Sequence, residues 1–389
     1  MTDLTLRTHV SITYRGKNIT KDVTKDIVGF SYTDNESGTA DDISLTLKNN
    51  HGLWTNEWLP TLGDKITAVI SQTGRGSGQP LACGVFTFDE YTDSYDTSSG
   101  STVTFNCQSV PSEKSIKSTK KSKGWESVKL SEIAGDIAKK GSLKLTYATK
   151  VDPLYDRKSQ SNISDLQFLK SICESEALNL KITDDQIVIF DPQEMDKNPP
   201  VTEFIYGESK ILSRTFTTQS YDTYSESTVE YSDPKTGTKQ SYTEKSATIK
   251  DAKPIKTVKR VTSKAEAERI AKAKLYQANK KAVTGAMTVT GDTQLAAGAV
   301  IQIIGFGKYD GLYKITKATH SLGDGYTTAL ELENTQYPPK NEKETKEKTE
   351  KVAKKRKTKK ATIKPNPKQT APVSSKALTE DEKWIMNQK

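Results

Sequence analysis

The side chains able to do chemistry are few, and their spacing suits none of the usual sites. Three histidines, His9, His51 and His320, stand far apart in the 389-residue chain, and none has a second His or a Cys at metal-ligand spacing. Cys83, Cys107 and Cys173 are equally scattered; two of them lie in apolar strand or helix patterns, so buried free thiols are expected. Gly74-Arg75-Gly76-Ser77-Gly78 reads as a flexible hairpin tip, and no Gly-x-Ser-x-Gly elbow occurs. Gly305-Phe306-Gly307 with Gly311 has the glycines of a dinucleotide loop, but a strand pattern follows it. Without a helix N-terminus nothing there would hold a pyrophosphate. Asp34-Asn35-Glu36-Ser37-Gly38 with Asp41-Asp42 lacks the alternating oxygen ligands and terminal Glu of a calcium loop, and reads as a turn. Carboxylates for glycoside hydrolysis are plentiful, but that chemistry depends on their separation in space. No catalytic, cofactor-binding or metal-binding residue is assigned, and the chain is not expected to be an enzyme.

The elements that these residues sit on are mostly short strands. Residues 4–48 alternate apolar and polar at Val10–Tyr14, Ile27–Tyr32 and Ile43, Leu45, Leu47. Gln294–Glu333 is the clearest meander: Ala299–Ile304, then Leu312–Thr319 with Leu312, Lys314, Thr316 set against Tyr313, Ile315, Lys317, then Tyr326–Leu332 after Gly323-Asp324-Gly325. The same order of events occurs earlier. Gly63-Asp64-Lys65-Ile66 opens a strand, Gly84-Val85-Phe86-Thr87-Phe88 a second, and Ser101–Cys107 returns after Ser98-Ser99-Gly100. We read this as a diverged internal duplication, against the alternative of two unrelated meanders. Trp54 and Trp58, at i and i+4 before Pro60, share one face of a short turn as a core anchor.

Between the meanders the period changes. Leu130, Ile133, Ala134, Ile137 and Ala138 form one helical stripe ended by Gly141. Ser164 with Gln167 makes a capping box, Ile163 and Phe168 a staple, and Leu166, Leu169, Ile172 and Cys173 the buried stripe of a second helix. Ser263 with Glu266 opens a third, whose Ala267, Ile270, Ala271, Leu275 and Ala278 are expected to face the second strand set. The fold class expected is mainly β with an α+β insertion: two related small β-barrels, a small helix-on-strands domain and a flexible C-terminal tail. The boundaries are 1–111 for the first barrel, open to completion by strands from 201–245, then 112–199 for the α+β domain. The second barrel takes 200–336 with helix 263–279, followed by a charged, proline-containing linker over 337–376 and a short helix over 377–389.

Composition agrees with such a chain. Only 33% of residues are hydrophobic and 28% are charged, which suits half-exposed antiparallel strands rather than large parallel sheets. The net charge of +9 is concentrated: residues 340–360 hold eleven Lys or Arg against four Glu. The nearly neutral body that remains argues against a nucleic-acid-binding core. Glu344–Lys348, Glu347–Lys351 and Glu350–Lys354 leave a solvated helix and a disordered charged run both open, before Pro365, Pro367 and Pro372 impose an extended segment. Trp384, Ile385 and Met386 follow an N-capping sequence and form a candidate partner-binding group. No secretory h-region or membrane-spanning apolar run is present, so synthesis in the cytoplasm without a signal peptide is expected.

Several motifs taken together resemble a known family. Gly291-Asp292, Gly298, Gly305-Phe306-Gly307, Tyr309-Asp310-Gly311 and Gly325-Tyr326-Thr327-Thr328 look like the C-terminal half of the late-control D proteins, baseplate hubs of contractile phage tails and phage-tail-like bacteriocins. Ser164–Leu169 with Phe190-Asp191-Pro192 is similar to the family's middle segment, and Phe30–Asn35 with Ala40-Asp41-Asp42 to its opening. The resemblance spans roughly residues 10–335 and implies architecture, not catalysis. It implies a homotrimeric structural adaptor in a virion or bacteriocin baseplate, joining a hexameric tail tube or tube-initiator protein to a trimeric central spike, with wedge proteins around it. No cofactor, specific nucleic acid or membrane partner is implied. A hub with peptidoglycan-hydrolysing activity is the alternative.

Overall fold

Alternating apolar residues in the first 108 positions become seven strands in the computed structural model: β1 (Arg7–Tyr14), β2 (Lys17–Asn18), β3 (Ile27–Asn35), β4 (Asp42–Lys48), β5 (Lys65–Thr73), β6 (Leu81–Asp96) and β7 (Gly100–Gln108). One helical turn, α1 (Thr20–Thr24), separates β2 from β3. The structure describes residues 6–335 and 341–362, apart from 75–77, 99, 111–113, 208–209, 220–222, 233–237, 247–248, 259–260 and 262–263. Ile12, Phe30, Ile43, Leu45, Ile66, Phe86 and Phe105 turn to one side and form the first core. Trp54 belongs to it and donates its Nε1–H to Asp26 at 3.0 Å, while Trp58 lies edge-on against it at 5.2 Å, still partly exposed.

The insertion holds α2 (Lys114–Ser118), β8 (Lys121–Lys129), α3 (Leu130–Lys140), β9 (Lys144–Ala148), β10 (Leu154–Ile163), α4 (Asp165–Ser175), β11 (Asn179–Ile182), β12 (Gln186–Phe190) and α5 (Pro192–Met195). The stripe of α3 is buried as its spacing predicts, and Ser164 caps α4 by accepting the Gln167 N–H at 3.2 Å. In α4 the staple residue Phe168 is buried and Leu166 only partly so, because Phe168 stacks on Trp125 of β8. All three cysteines are buried and free, and burial pushes each thiol up to about 12.

The remainder supplies β13 (Thr202–Ile205), β14 (Ile211–Thr218), β15 (Tyr224–Ser232), β16 (Lys239–Lys245), β17 (Lys253–Val258), α6 (Lys264–Asn279), β18 (Val283–Thr290), β19 (Val300–Ile304), β20 (Gly311–Leu322), β21 (Tyr326–Asn334) and α7 (Glu342–Thr362). Thirteen strands make one sheet along the path β14-β18-β21-β20-β3-β4-β7-β6-β5-β1-β2, with β19 on β20 and β13 on β19. The two strand sets expected as separate barrels thus join edge to edge, and no closed barrel forms among the described residues. The physical reason is the length of β20. Its first residues pair with β19, and the rest of that edge, Lys317–Leu322, takes β3.

Three other expectations are corrected. The strands of 201–245 do not complete the first set: Phe204, Ile211 and Phe216 carry β13 and β14 into the second core, and β15, β16 and β17 form a sheet of their own. Helix α6 covers that small sheet, where Ala267, Ile270 and Ala271 meet Val229 and Tyr231. Part of the 337–376 linker is the helix α7, docked on the body. Four contacts anchor it: Gln302 donates to Thr345 at 2.7 Å, Lys348 pairs with Glu203 at 2.7 Å, Thr349 donates to Asp310 at 3.0 Å, and Val352 is 6% exposed over Gly305. Trp384, Ile385 and Met386 lie outside the described residues.

Candidate assembly interface

The duplication extends to individual hydrogen bonds. Gly63, at φ +94°, donates to the Phe88 carbonyl at 2.9 Å; Gly298, at φ +85°, donates to that of Ile315 at 2.7 Å. Phe88 returns a bond to Asp64 at 3.0 Å, and Ile315 to Ala299 at 2.9 Å. Asp64 and Ala299 each close a turn, onto Thr61 and Ala296. Both glycines need the left-handed conformation that other residues adopt at a cost. From there the ladders correspond rung by rung. Ile66 opposite Phe86 matches Ile301 opposite Tyr313, and a register shift follows in each long strand, at Phe88/Glu90 and at Ile315/Lys317.

The correspondence reaches the outer strands too. β3 pairs with β4, and β14 with β18, each with a shift after its first rung, at Ile27/Gly29 and at Ile211/Ser213. Phe30 opposite Leu45 then matches Arg214 opposite Met287, and Tyr32 opposite Ile43 matches Phe216 opposite Gly285. β3 is the duplicate of β14, and β6 of β20.

One junction inside the chain uses these strands. β3 lies antiparallel on the outer half of β20, Phe30 opposite Leu322 through Asn35 opposite Lys317. Tyr32 stacks on His320 at 5.9 Å across it. His320 is fully buried, bonded to Tyr326 at 2.8 Å and to the Leu295 carbonyl at 2.9 Å, and burial holds its pKa below the ordinary histidine value. His320 is a packed junction residue.

The duplicate junction is unmade within one chain. β14 ends the sheet path with one edge unpaired by any described strand, and β5 covers β6 only as far as Thr87. Beyond that point, among the described strands, β6 pairs on one side, with β7. Three large apolar side chains at these edges are exposed, Tyr91 42%, Tyr95 76% and Leu212 60%, whereas Ile211 and Phe216 pack on the second core. Unpaired strand edges template further pairing unless they are blocked. The two edges also differ in charge. Asp89, Glu90, Asp93 and Asp96 lie on β6, whereas Lys210 and Arg214 flank and occupy β14. Arg214 stands over Phe306 at 4.5 Å and Tyr206 at 5.7 Å, beside Phe216 stacked on Tyr309 at 5.1 Å.

Buried ion groups lie beside the internal junction. Lys314, 3% exposed, sits 3.0 Å from Glu36 and 3.1 Å from Asp196, and Tyr276 donates to Asp196 at 2.9 Å. Burial lowers the Lys314 pKa, but Glu36 and Asp196 outweigh it and leave the ammonium above the ordinary lysine value. One cation faces two buried acids, and burial raises the pKa of Glu36 despite Lys314. A second group, Lys181 with Asp34 at 2.6 Å and Asp41 at 3.0 Å, ties the insertion to the end of β3 and the loop after it. Sequence reasoning singled out that loop only as a rejected calcium site. Its four-residue acidic pattern carried the signal for a lysine partner, but not which lysine.

No family model matches the chain, and no curated protein matches it in sequence. Solved structures do match. The tail protein from Neisseria meningitidis MC58 superposes with a TM-score of 0.62 at 14% identity, covering 84% of this chain and 96% of that one. A 43 kDa tail protein of prophage MuSo2 from Shewanella oneidensis gives 0.62 at 14% identity, covering 85% and 99%. An E. coli component of the type VI secretion system, described as structurally similar to T4 bacteriophage tail proteins gp27 and gp5, gives 0.51 at 12% identity, covering 84% and 78%. What is shared at these identities is the fold, and the fold of this chain is that of phage tail proteins.

Proposed function

We propose that this chain is the central hub of a contractile-tail baseplate, three copies closing into a ring between a hexameric tail tube or tube initiator and a trimeric spike. The observation that supports the ring is the duplicate junction: β14 and the outer half of β6 match the mated pair β3 and β20, and lie unmated in a single chain. Transferring the internal register gives the contact between copies. Arg214 falls opposite Tyr95 of the next copy, Thr215 opposite Ser94, Phe216 opposite Asp93, and Thr217 opposite Thr92. Arg214 then reaches Asp93 on the diagonal, and Tyr95 covers the Arg214–Phe306 cluster.

Such a contact is heterologous, so it closes only as a ring. Each chain brings one internal junction and makes one external junction, and three chains present six similar sites to a six-fold tube while keeping three-fold symmetry for a spike. The number three, the spike, the wedge contacts and the late-control D assignment come from the family resemblance. Trp384, Ile385 and Met386 are the proposed anchor for a neighbouring baseplate protein. Cysteines test the register. Thr92→Cys with Thr217→Cys should give covalent trimers under mild oxidation, since directly opposed strand residues lie within disulfide reach. Monomers only, or crosslinking that is equal for a pair shifted by one residue, would refute the register.

A further inference from the structure

Helix α7 runs toward the open edge. Its contacts pass from Gln302 to Glu203, Asp310 and Gly305, and Arg356 then stands over the Tyr206 ring at 3.6 Å. Tyr206 also faces Arg214 of β14. Beyond Arg356 the helix continues to Thr362, a further ~9 Å at 1.5 Å per residue. Its charge changes sharply along this course. The first half balances Lys against Glu, whereas residues 354–360 are six cations and one threonine. Like charges three and four apart oppose a helix, so this half gains from a nearby anionic surface.

The internal register puts one there. Tyr95 of the next copy falls opposite Arg214, which brings the β6–β7 hairpin tip beside the end of α7. That hairpin is acidic: no Lys or Arg occurs between Arg75 and Lys114, and β6 carries Asp89, Glu90, Asp93 and Asp96. We propose that the basic C-terminal half of α7 clamps the acidic β6–β7 hairpin of the next copy in the ring. The partner is a second copy of this chain, and the proposal rests on the ring reading above. The strand pairing supplies register; the clamp supplies a long-range electrostatic attraction that salt weakens.

The test measures trimer dissociation of the full chain, with the spike protein bound, between about 0.05 and about 0.5 M salt. The wild-type dissociation constant should rise about tenfold or more across that range. Lys357→Glu, Lys359→Glu and Lys360→Glu together should weaken the trimer about tenfold at low salt and flatten the salt response. Adding Asp96→Lys, at the hairpin tip and outside the Arg214–Asp93 contact, should restore part of the affinity. An unchanged trimer and salt response in the triple variant would overturn the clamp while leaving the ring intact. Loss of nucleic-acid retention alone in that variant would equally overturn it. A wild-type chain that never trimerises would sink the ring reading itself.

Discussion

Replacing Lys314 with methionine should cost about 3–5 kcal/mol, the usual result of removing one partner from a buried ion group. The side chains are close enough in volume that little of the loss comes from packing. What changes is charge: Glu36 Oε1 and Asp196 Oδ1, both buried, have no hydrogen-bond partner among the described residues and lean on the ammonium at 3.0 and 3.1 Å. Without it two carboxylates face each other with only the Tyr276 hydroxyl, bonded to Asp196, to soften them. The pH dependence follows with a definite sign. Burial raises the Glu36 pKa above 4.5. A carboxyl with a raised folded pKa binds its proton more tightly when folded, so stability grows as pH falls from that raised value toward 4.5. Lys314 opposes the rise, so its removal should widen the window. The variant should therefore regain stability between pH 7 and pH 5, and Glu36→Gln added to it should recover part of the loss at pH 7. Urea melts of the second core, followed by Trp-independent far-UV signal, would show this. A loss under about 1 kcal/mol with no pH response would refute the account of Lys314 as the sole compensating charge.

Other outcomes follow from the same contacts. His320 stays neutral in the fold, with its pKa below 6.5, so an unfolded chain takes up a proton that the folded one refuses. Stability should fall as pH drops below 6.5, by at most about 1.4 kcal/mol per pH unit, and His320→Gln should remove that slope in thermal melts. Gly305→Ala should loosen α7, because a Cβ there would stand 2.7 Å from Val352 at φ +84°. Hydrogen exchange across 342–356 should accelerate, and Val352→Ala should relieve the steric part but not the backbone strain of about 1–2 kcal/mol. Trp384→Ala should reduce recovery of a baseplate partner in pull-downs while leaving the body folded.

Local rules made much of the strand content legible. The cap at Ser164 and the stripe of α3 are written in a few adjacent residues, and the paired glycines Gly63 and Gly298 mark one hydrogen bond made twice. What escaped reading depends on partners distant in sequence. Lys314 falls on the polar phase of its strand, yet Leu312, Tyr313, Lys314 and Ile315 are all buried because elements cover both faces of β20. β17 pairs parallel with β15, and no turn signal announces a parallel neighbour. α7 looked like linker because Val352 is its one buried apolar anchor among the described residues, and its hydrogen bonds to Asp310, Gln302 and Glu203 reach 39 to 145 positions away. The interface was hidden for another reason. A strand edge that no described strand of its own chain pairs becomes visible as an interface only when its twin is seen paired.

The mass of the native hub–spike complex tests the central claim most directly. The account predicts three copies of this chain per complex, reduced to monomers or open fragments when Thr218→Pro, whose backbone N–H faces away from β18, blocks the β14 edge. A stable dimer, or six copies, would contradict it.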